Sequence, residues 1–299
     1  MEKQPTLTVF TPAYNRAHTL WKGYEGLKRQ TSKDFKWVIV DDGSTDNTRE
    51  LVEGWIKENL IPIEYYYKKN GGMHSAHNEA YRHIDTVLAV CIDSDDYMTD
   101  NGVELIISRW RKCGSDKYAG MIGLDVLEDG TIIGTSFPEG LYECKTYDLA
   151  RKYGVVCDKK YVYRSDVIKK YLPYPEFEGE RYGTVNWLYK IIDNDYEMLC
   201  SNDVYCVVEY QPDGLTINIY EQHKKSPRTR AVESDELITY VPYKSEKIKR
   251  AIQYVSSAIF AKDINLLFKT SNKRWVLPMI PVGVLYNCYL RFKKTRSLK

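Results

Sequence analysis

The 299-residue chain lacks several features that would place it in a specialised class. It has no Cys-x-x-Cys pair, and its seven cysteines are widely scattered, which argues against a zinc or redox motif and predicts reduced thiols. It has no excess of one charge, since 43 basic residues face 41 acidic ones, so its electrostatics do not favour a nucleic-acid partner. It has no unbroken apolar run of membrane-spanning length, and none follows Met1–Thr6 that could act as a signal peptide. We therefore expect a globular cytoplasmic protein with no nucleic-acid partner.

The first third of the sequence alternates short apolar runs with stretches of helical periodicity. This alternation is typical of a parallel sheet wrapped by helices. Apolar residues at helical spacing predict helices after Ser44 and after Asn101, with Ser44 or Thr45 capping the first of them. Four strands are predicted, at residues 7–11, 37–40, 63–67 and 87–92.

The rest of the sequence predicts an extension of this sheet followed by helices. Residues 118–127 and 131–137 flank a turn-like Glu-Asp-Gly-Thr and predict a β-hairpin. Further along we expect a helix at residues 187–192, a strand at 198–208, a loop or linker at 223–228 and a helix over 248–259.

Polar residues follow the first two predicted strands where ligands bind in such sheets, at the carboxyl ends of the strands. The first strand runs into Thr11-Pro12-Ala13-Tyr14-Asn15-Arg16, which offers backbone donors, an aromatic face for a base and a guanidinium for phosphate. The second runs into Asp41-Asp42-Gly43, where a carboxylate can accept from a ribose or a pyrimidine and Gly43 permits a tight turn. An acidic helix start would explain the second segment equally well.

The fourth predicted strand ends abruptly in Asp93-Ser94-Asp95-Asp96. Three carboxylates at the mouth of a buried strand repel one another, so they require a cation or strong hydrogen-bond donors. Magnesium and manganese prefer oxygen ligands and often complete their shell with substrate phosphates. The cluster therefore predicts a divalent cation site, Mn²⁺ or Mg²⁺, with a solvated acidic turn as the alternative.

The order and spacing of these three segments resemble the family 2 glycosyltransferases of the GT-A fold, of the type that builds bacterial cell-surface polysaccharides. The resemblance covers roughly residues 6–215. It implies an α/β protein with a mostly parallel central sheet flanked by helices and a helical C-terminal extension. It also implies a metal-dependent inverting transfer of a sugar from a nucleotide-diphosphate donor, usually of uridine, to a saccharide or lipid-linked acceptor.

The resemblance also carries site roles to residues of this chain. Asp42, with Asp41 beside it, would lie against the base, Asp93 would face the ribose or the metal, and Asp95 would ligate the metal. A glycine-containing loop before a helix, at residues 70–78, would approach the donor, with His74 or Asn78 reaching the nucleotide and His77 either a ligand contact or a core residue. The remaining base and ribose contacts would come from Thr11, Pro12, Tyr14 and Arg16.

This chain departs from the family pattern at the catalytic base. In the family a carboxylate stands before a helix in the middle of the chain, but Val185 occupies the matching position here. The nearest acids, Glu178 and Glu180, are the candidate bases, and solvated loop acids are the alternative for both.

The predicted domains are a catalytic domain at residues 1–215, divided into a nucleotide-binding half at 1–115 and an acceptor half at 116–215, and an extension at 216–299. A loop at residues 210–216 could close over bound donor. The extension ends in an apolar stretch, residues 275–290, followed by basic residues, which suits peripheral contact with the inner face of a membrane or, alternatively, an ordinary packed helix. Two other functions stay open: a non-catalytic sugar-nucleotide or glycan-binding protein, and a sugar nucleotidyltransferase.

Overall fold

The computed structural model describes residues 4–156, 158–209 and 219–292. It contains two compact units. The first consists of Met1–Asn70, Ala76–Pro173 and Asp195–Gln211, and the second of Gly71–Ser75, Tyr174–Asn194 and Pro212–Lys299. The predicted division into a catalytic domain at residues 1–215 and an extension at 216–299 concerns function and stays a prediction.

The first unit is built on one mixed β-sheet. Strands β1 to β4 are mutually parallel in the order β3-β2-β1-β4, β8 is antiparallel between β4 and β6, and β9 runs parallel to β6. The short strands β5 and β7 are antiparallel to β9. In the part of the chain that the structure describes, the strands are β1 Leu7–Ala13, β2 Phe35–Asp41, β3 Ile63–Tyr67, β4 Leu88–Cys91, β5 Tyr97–Met98, β6 Tyr118–Val126, β7 Glu143–Cys144, β8 Lys160–Arg164 and β9 Glu197–Val207.

Helices flank this sheet because β2 is buried along its whole length and β1 along nearly all of it, as strands in the middle of a parallel sheet must be. On one face Trp37 stacks on Trp55 and Trp55 stacks on Tyr24, with centroid separations of 5.9 and 4.5 Å. The helices of the described chain up to β8 are α1 Ala17–Lys28, α2 Thr48–Glu58, α3 Met73–His83, α4 Gly102–Cys113 and α5 Leu149–Lys152, and α6 Ser165–Ile168 follows β8. The next helix, α7 Asn186–Ile192, belongs to the second unit.

The four predicted parallel strands are confirmed, but the predicted hairpin is largely wrong. Its turn forms, with Gly130 at φ 83° and the amide of Leu127 donating to the carbonyl of Thr131 over 2.8 Å. Its returning strand is reduced to a single bridge between Val126 and Ile132. Gly134 then adopts a left-handed φ of 72°, which turns the chain out of the sheet.

The second unit is helical. Its helices after β9 are α8 Ile219–Lys225, α9 Pro227–Tyr240, α10 Lys244–Phe260, α11 Leu266–Lys269, α12 Lys273–Val276 and α13 Ile280–Phe292. The expectation of a loop or linker at residues 223–228 is wrong, because Pro227 occupies the first turn of α9, where its fixed φ favours a helix. The helix predicted over 248–259 is confirmed as α10. No helix among the described residues is long and apolar enough to cross a membrane.

Candidate active site

The loops after β1 and β2 are tied together at the carboxyl edge of the sheet. Asn15 has a left-handed φ of 54°, and its backbone amide donates to Oγ of Ser44 over 2.9 Å. Its side-chain Oδ1 accepts from the amide of Thr45 at 2.8 Å, and the carboxylate of Asp46 accepts from the amide of Ala17 at 3.1 Å. Ser44 and Thr45 therefore join two loops and do not cap α2, which begins at Thr48, so that expectation is wrong.

The predicted donor contacts in the first loop have different surroundings. Thr11 is buried, and its hydroxyl accepts from the indole N–H of Trp37 at 3.0 Å. Pro12 and Arg16 are half-buried, whereas Tyr14 is exposed. The ring of Tyr14 is thus free to present a face to solvent, while Thr11 fixes the end of β1. The nucleotide contacts assigned to these four residues stay predictions.

Asp41 and Asp42 are both buried, but they engage different partners. The carboxylate of Asp41 accepts from the amide of Ser44 at 2.7 Å and from the hydroxyl of Tyr65 at 2.5 Å. The carboxylate of Asp42 pairs with the ammonium of Lys68 at 2.9 Å. Asp41 therefore shapes the loop, which also requires the φ of 84° found at Gly43. The predicted contact of Asp42 with a base is untested.

The acidic cluster after β4 divides into an outward and an inward part. Asp93 is exposed and Asp95 is half-buried, whereas Asp96 is buried. The amide of Asp96 donates to the carbonyl of Asp93 over 3.1 Å and closes a tight turn. The inward carboxylate of Asp96 accepts from the amide of Glu209, just after β9, at 3.1 Å. Asp96 thus anchors the turn on which Asp93 and Asp95 lie.

Beneath Asp96 lies a buried ion cluster that the sequence interpretation missed. The ammonium of Lys160 on β8 lies 3.8 Å from carboxylate oxygens of both Asp96 and Asp125, the latter on β6. Burial raises the pKa of Asp125 to about 6. Burial, together with the nearby charges of Asp93 and Asp95, raises the pKa of Asp96 to about 8. The positive charge of Lys160 opposes both shifts. Burial acts to lower the pKa of Lys160, but the acids around it raise that pKa well above its usual value. The local sequence signal for this cluster is Asp125, the charged residue in the otherwise uncharged strand β6.

A divalent cation fits the outward acids if it shares its shell with a ligand. Among residues 4–156, 158–209 and 219–292, no three His, Cys, Asp or Glu side chains are grouped so that they could hold a metal by themselves. Asp93 and Asp95 offer hard carboxylate oxygens on one exposed turn. Magnesium and manganese commonly take one or two protein carboxylates and complete their shell with substrate phosphates. The donor set is therefore of the right kind.

The glycine-containing loop makes a close contact within the chain itself. A Cβ on Gly72, whose φ is 91°, would lie 1.9 Å from the carbonyl oxygen of Arg181, so the missing side chain is needed for a close backbone contact within the second unit. Asn78 and His77 are buried on α3. His77 packs edge-on against Phe10 with centroids 5.0 Å apart, which favours the core interpretation of this histidine.

The two candidate bases lie in different environments. Glu178 is exposed, next to Gly179 at φ 80°. The carboxylate of Glu180 accepts from the amides of Arg228 and Thr229 at 2.9 and 2.8 Å, and it therefore caps the start of α9. A catalytic role for either residue stays a prediction, and Glu178 is the more exposed of the two.

A third carboxylate in the second unit was missed. Glu233 on α9 is buried, and it accepts from the amide of Thr184 at 2.5 Å and from the guanidinium of Arg230 at 3.3 Å. Burial raises the pKa of Glu233. It holds the segment beside Val185, where the family pattern expects an acid. The loop proposed to close over the donor, residues 210–216, lies outside the described residues.

Comparison with known proteins identifies the family. The sequence model described as Glycosyl transferase family 2 matches residues 8–176, more than half of the chain. A hyaluronan synthase of Pasteurella multocida is 30% identical over 141 residues, which cover 46% of this chain and 14% of that protein. A chondroitin synthase of P. multocida strain Pm70 is 31% identical over 137 residues, covering 45% of this chain and 14% of that protein. The chain thus spans only a small part of the length of these relatives.

Solved structures establish the fold. Staphylococcus aureus TarS 1–349 in complex with UDP-GlcNAc superimposes with a TM-score of 0.64 at 16% identity, over 95% of this chain and 81% of that one. The mannosyltransferase PcManGT of Pyrobaculum calidifontis, in complex with GDP-Man and Mn²⁺, gives a TM-score of 0.55 at 15% identity, over 96% and 76% of the two chains. The chain therefore has the GT-A fold and belongs to glycosyl transferase family 2.

Proposed function

We propose that this glycosyltransferase moves a sugar from a uridine-diphosphate donor to a saccharide acceptor in the synthesis of a surface polysaccharide. The observation that carries the donor proposal is the turn after β4, which holds the exposed Asp93 and the half-buried Asp95 while the buried Asp96 anchors it through Glu209. The loops after β1 and β2 lie at the same carboxyl edge, where ligands bind in α/β sheets. The nucleotide is proposed by analogy with TarS, which was solved with UDP-GlcNAc and with UDP.

The cation belongs to this proposal. Asp95 would ligate it, with Asp93 as a second ligand or as a partner of the ribose. A bound divalent cation would neutralise the diphosphate as it leaves. Asp42, paired with Lys68, would accept from the base, and the exposed ring of Tyr14 would stack on it. Arg16 would contribute positive charge beside the phosphates.

Calorimetric titration with uridine diphosphate tests the donor and metal assignments together. We expect manganese to strengthen binding, and Asp95→Ala to remove that enhancement because the protein loses a carboxylate ligand. Asp100→Ala, which removes an exposed acid that pairs with Arg29 close to the same turn, is the matched control and should keep the enhancement. Binding that is equally tight with and without manganese would contradict the metal proposal, and preference for guanosine diphosphate would contradict the uridine assignment.

For the catalytic base we propose Glu178 or Glu180, and the environments of these residues favour Glu178. A general base must be free to accept a proton from the acceptor hydroxyl. The oxygens of Glu180 already accept from α9, whereas Glu178 is exposed. At saturating donor, Glu178→Gln should lower turnover by a factor of about 100 or more, the usual contribution of a general base. If Glu178→Gln and Glu180→Gln both keep full turnover, the base lies elsewhere.

The acceptor is proposed from the relatives. Hyaluronan and chondroitin synthases and a teichoic acid polymerase of Staphylococcus epidermidis are among the proteins that this chain resembles. We infer a growing polysaccharide, lipid-linked and reached from the cytoplasmic face, as the acceptor class. To identify the acceptor, radiolabelled sugar would be transferred to a membrane extract. The labelled product would then be digested with polysaccharide-specific hydrolases.

The non-catalytic alternative rests on Val185 and on the occupied carboxylate of Glu180. It predicts donor binding without turnover. The two functions are distinguished by the release of free uridine diphosphate from a panel of uridine-diphosphate sugars, because a transferase hydrolyses its own donor slowly even without acceptor. Tight binding with no release from any donor, with or without acceptor extract, would favour the binding protein.

A further inference from the structure

The C-terminal part of the sequence has an unusual charge composition. The whole chain has nearly equal numbers of basic and acidic residues, 43 and 41. After Asp263, however, no acidic residue occurs up to Lys299. The basic residues in the same stretch are Lys269, Lys273, Arg274, Arg291, Lys293, Lys294, Arg296 and Lys299. This segment is therefore a local concentration of positive charge in a balanced protein.

Within this segment, one side of α13 is firmly packed on α10. A Cβ on Gly283 would lie 2.4 Å from the Cβ of Val255, so the two helices approach as closely as a glycine allows. The buried amide of Asn287 donates to the carbonyl and to the hydroxyl oxygen of Ser256, at 3.1 and 3.2 Å. These contacts fix the rotation of α13 about its own axis and so determine which of its residues face outward.

The outward side of α13 is apolar. Val282, Leu285, Tyr289 and Phe292 lie at spacings of three and four residues on one face. Leu285 is 69% exposed, Tyr289 53% and Phe292 85%. From Trp275 to Leu290 the sequence has no charged residue. A continuous exposed apolar face of this kind marks an interaction surface.

We propose that this face of α13 lies in the interfacial layer of an anionic lipid membrane, with the helix axis parallel to the surface. Lipid acyl chains would cover Leu285 and Phe292, and the ring of Tyr289 would lie at headgroup level, where amphipathic aromatics concentrate. Lys273 and Arg274, both exposed just before this helix, would contact the anionic headgroups.

Charge complementarity decides for lipid over a second copy of the chain. A second copy would bring the same positive charge to the interface and would be repelled, whereas an anionic bilayer offers both an apolar layer and negative charge. With 13 residues, α13 is shorter than the roughly 20 needed to span the apolar core of a bilayer, so it would lie on the membrane. The inference does not rest on sugar transfer, and its tests use no donor.

Two exposed cysteines provide a site-specific test. Cys288 lies on α13 beside the apolar face, and Cys113 ends α4 in the other unit. An environment-sensitive fluorophore would be attached to Cys288 in a Cys113→Ser/Cys157→Ser variant, and to Cys113 in a Cys288→Ser/Cys157→Ser variant. We expect a blue shift of the label at Cys288 with phosphatidylglycerol vesicles, little shift with phosphatidylcholine vesicles, and no shift of the label at Cys113.

Vesicle sedimentation with surface variants tests the two components of the contact. Leu285→Ser/Phe292→Ser and Lys273→Glu/Arg274→Glu should each weaken binding to anionic vesicles about tenfold or more, since each buried apolar side chain and each surface cation contributes on the order of a kcal/mol. The matched controls are Leu60→Ser/Tyr142→Ser and Lys57→Glu/Lys112→Glu, which alter exposed residues of the first unit and should bind like the unaltered protein.

Three results would overturn the proposal. The first is no blue shift at Cys288 with anionic vesicles, and the second is equal binding to neutral and anionic vesicles. The third is a doubled mass in light scattering without vesicles, abolished by Leu285→Ser/Phe292→Ser, because it would assign the face to a second copy. None of these results depends on donor binding, so failure here is separable from failure of the proposed transferase activity.

Discussion

The ammonium of Lys160 lies 3.8 Å from the carboxylate of Asp96, in the interior beneath the turn that presents Asp93 and Asp95. Through Asp96, this buried cation is coupled to the outer acids, because Asp96 closes the turn with its own amide and holds Glu209 with its carboxylate. Asp125 completes the cluster from β6. One cation cannot balance two buried carboxylates, which is why the pKa of Asp96 is raised as far as about 8 by burial and by its acidic neighbours.

Lys160→Met should destabilise the protein by about 3–5 kcal/mol, because it leaves two buried acids without their cation. Lys36→Met is the matched control. Lys36 is equally buried and pairs with Glu64 and Asp85 at 2.9 and 2.8 Å, but those two acids reach solvent and can rehydrate, so we expect a loss of about 1 kcal/mol. Denaturant unfolding measures both. Equal losses of unfolding free energy in the two variants would show that the buried cluster contributes no more to stability than the exposed ion pairs of Lys36.

Asp125 should make stability fall with rising pH between about 4 and 6. Burial raises the pKa of Asp125 to about 6 in the folded state, against about 3.9 in the unfolded chain, so the folded state binds the proton more tightly. The resulting stabilisation is fully present below about pH 4 and is lost as the pH rises through 6, with a slope of at most about 1.4 kcal/mol per pH unit. Unfolding free energies across this range should show a flatter profile for Asp125→Asn. An unchanged slope would contradict the shift.

Glu180→Ala should lower stability by about 1–2 kcal/mol, because the amides of Arg228 and Thr229 lose the carboxylate that caps α9. Glu178→Ala, two residues earlier and exposed, should be within about 0.5 kcal/mol of the unaltered protein. Thermal unfolding of the two variants side by side gives the comparison. A large loss for Glu178→Ala would mean that this residue has a structural role and would weaken its candidacy as the base.

Asn15 should tolerate glycine better than alanine. Its left-handed backbone costs alanine about 1 kcal/mol, which glycine avoids, and both variants lose the acceptor for the amide of Thr45. Thermal unfolding should therefore rank the native residue first, Asn15→Gly second and Asn15→Ala last. If alanine were as stable as glycine, the loop after β1 would have to adopt another conformation.

Local sequence patterns were sufficient for the parallel part of the sheet and for the family. The strands β1 to β4 were predicted because apolar runs between helical periodicities have a purely local signature, and the acidic turn after β4 was recognised because it interrupts such a run. The prediction of a loop or linker at residues 223–228 is wrong for a local reason as well, because a polar and charged composition does not exclude a helix and Pro227 begins α9.

Only the tertiary structure decided how the acids of the turn are divided. Four consecutive letters contain three aspartates that look alike in sequence, and Asp96 became the anchor because Lys160 and Asp125, distant along the chain, meet beneath it. Glu180 became a helix cap for the same reason, through contact with residues almost fifty positions later. The sequence by itself determined which chemical groups stand at strand ends, because that is encoded locally. Which of these groups face a ligand, and which form hydrogen bonds and ion pairs inside the protein, depends on long-range packing, which no local pattern records.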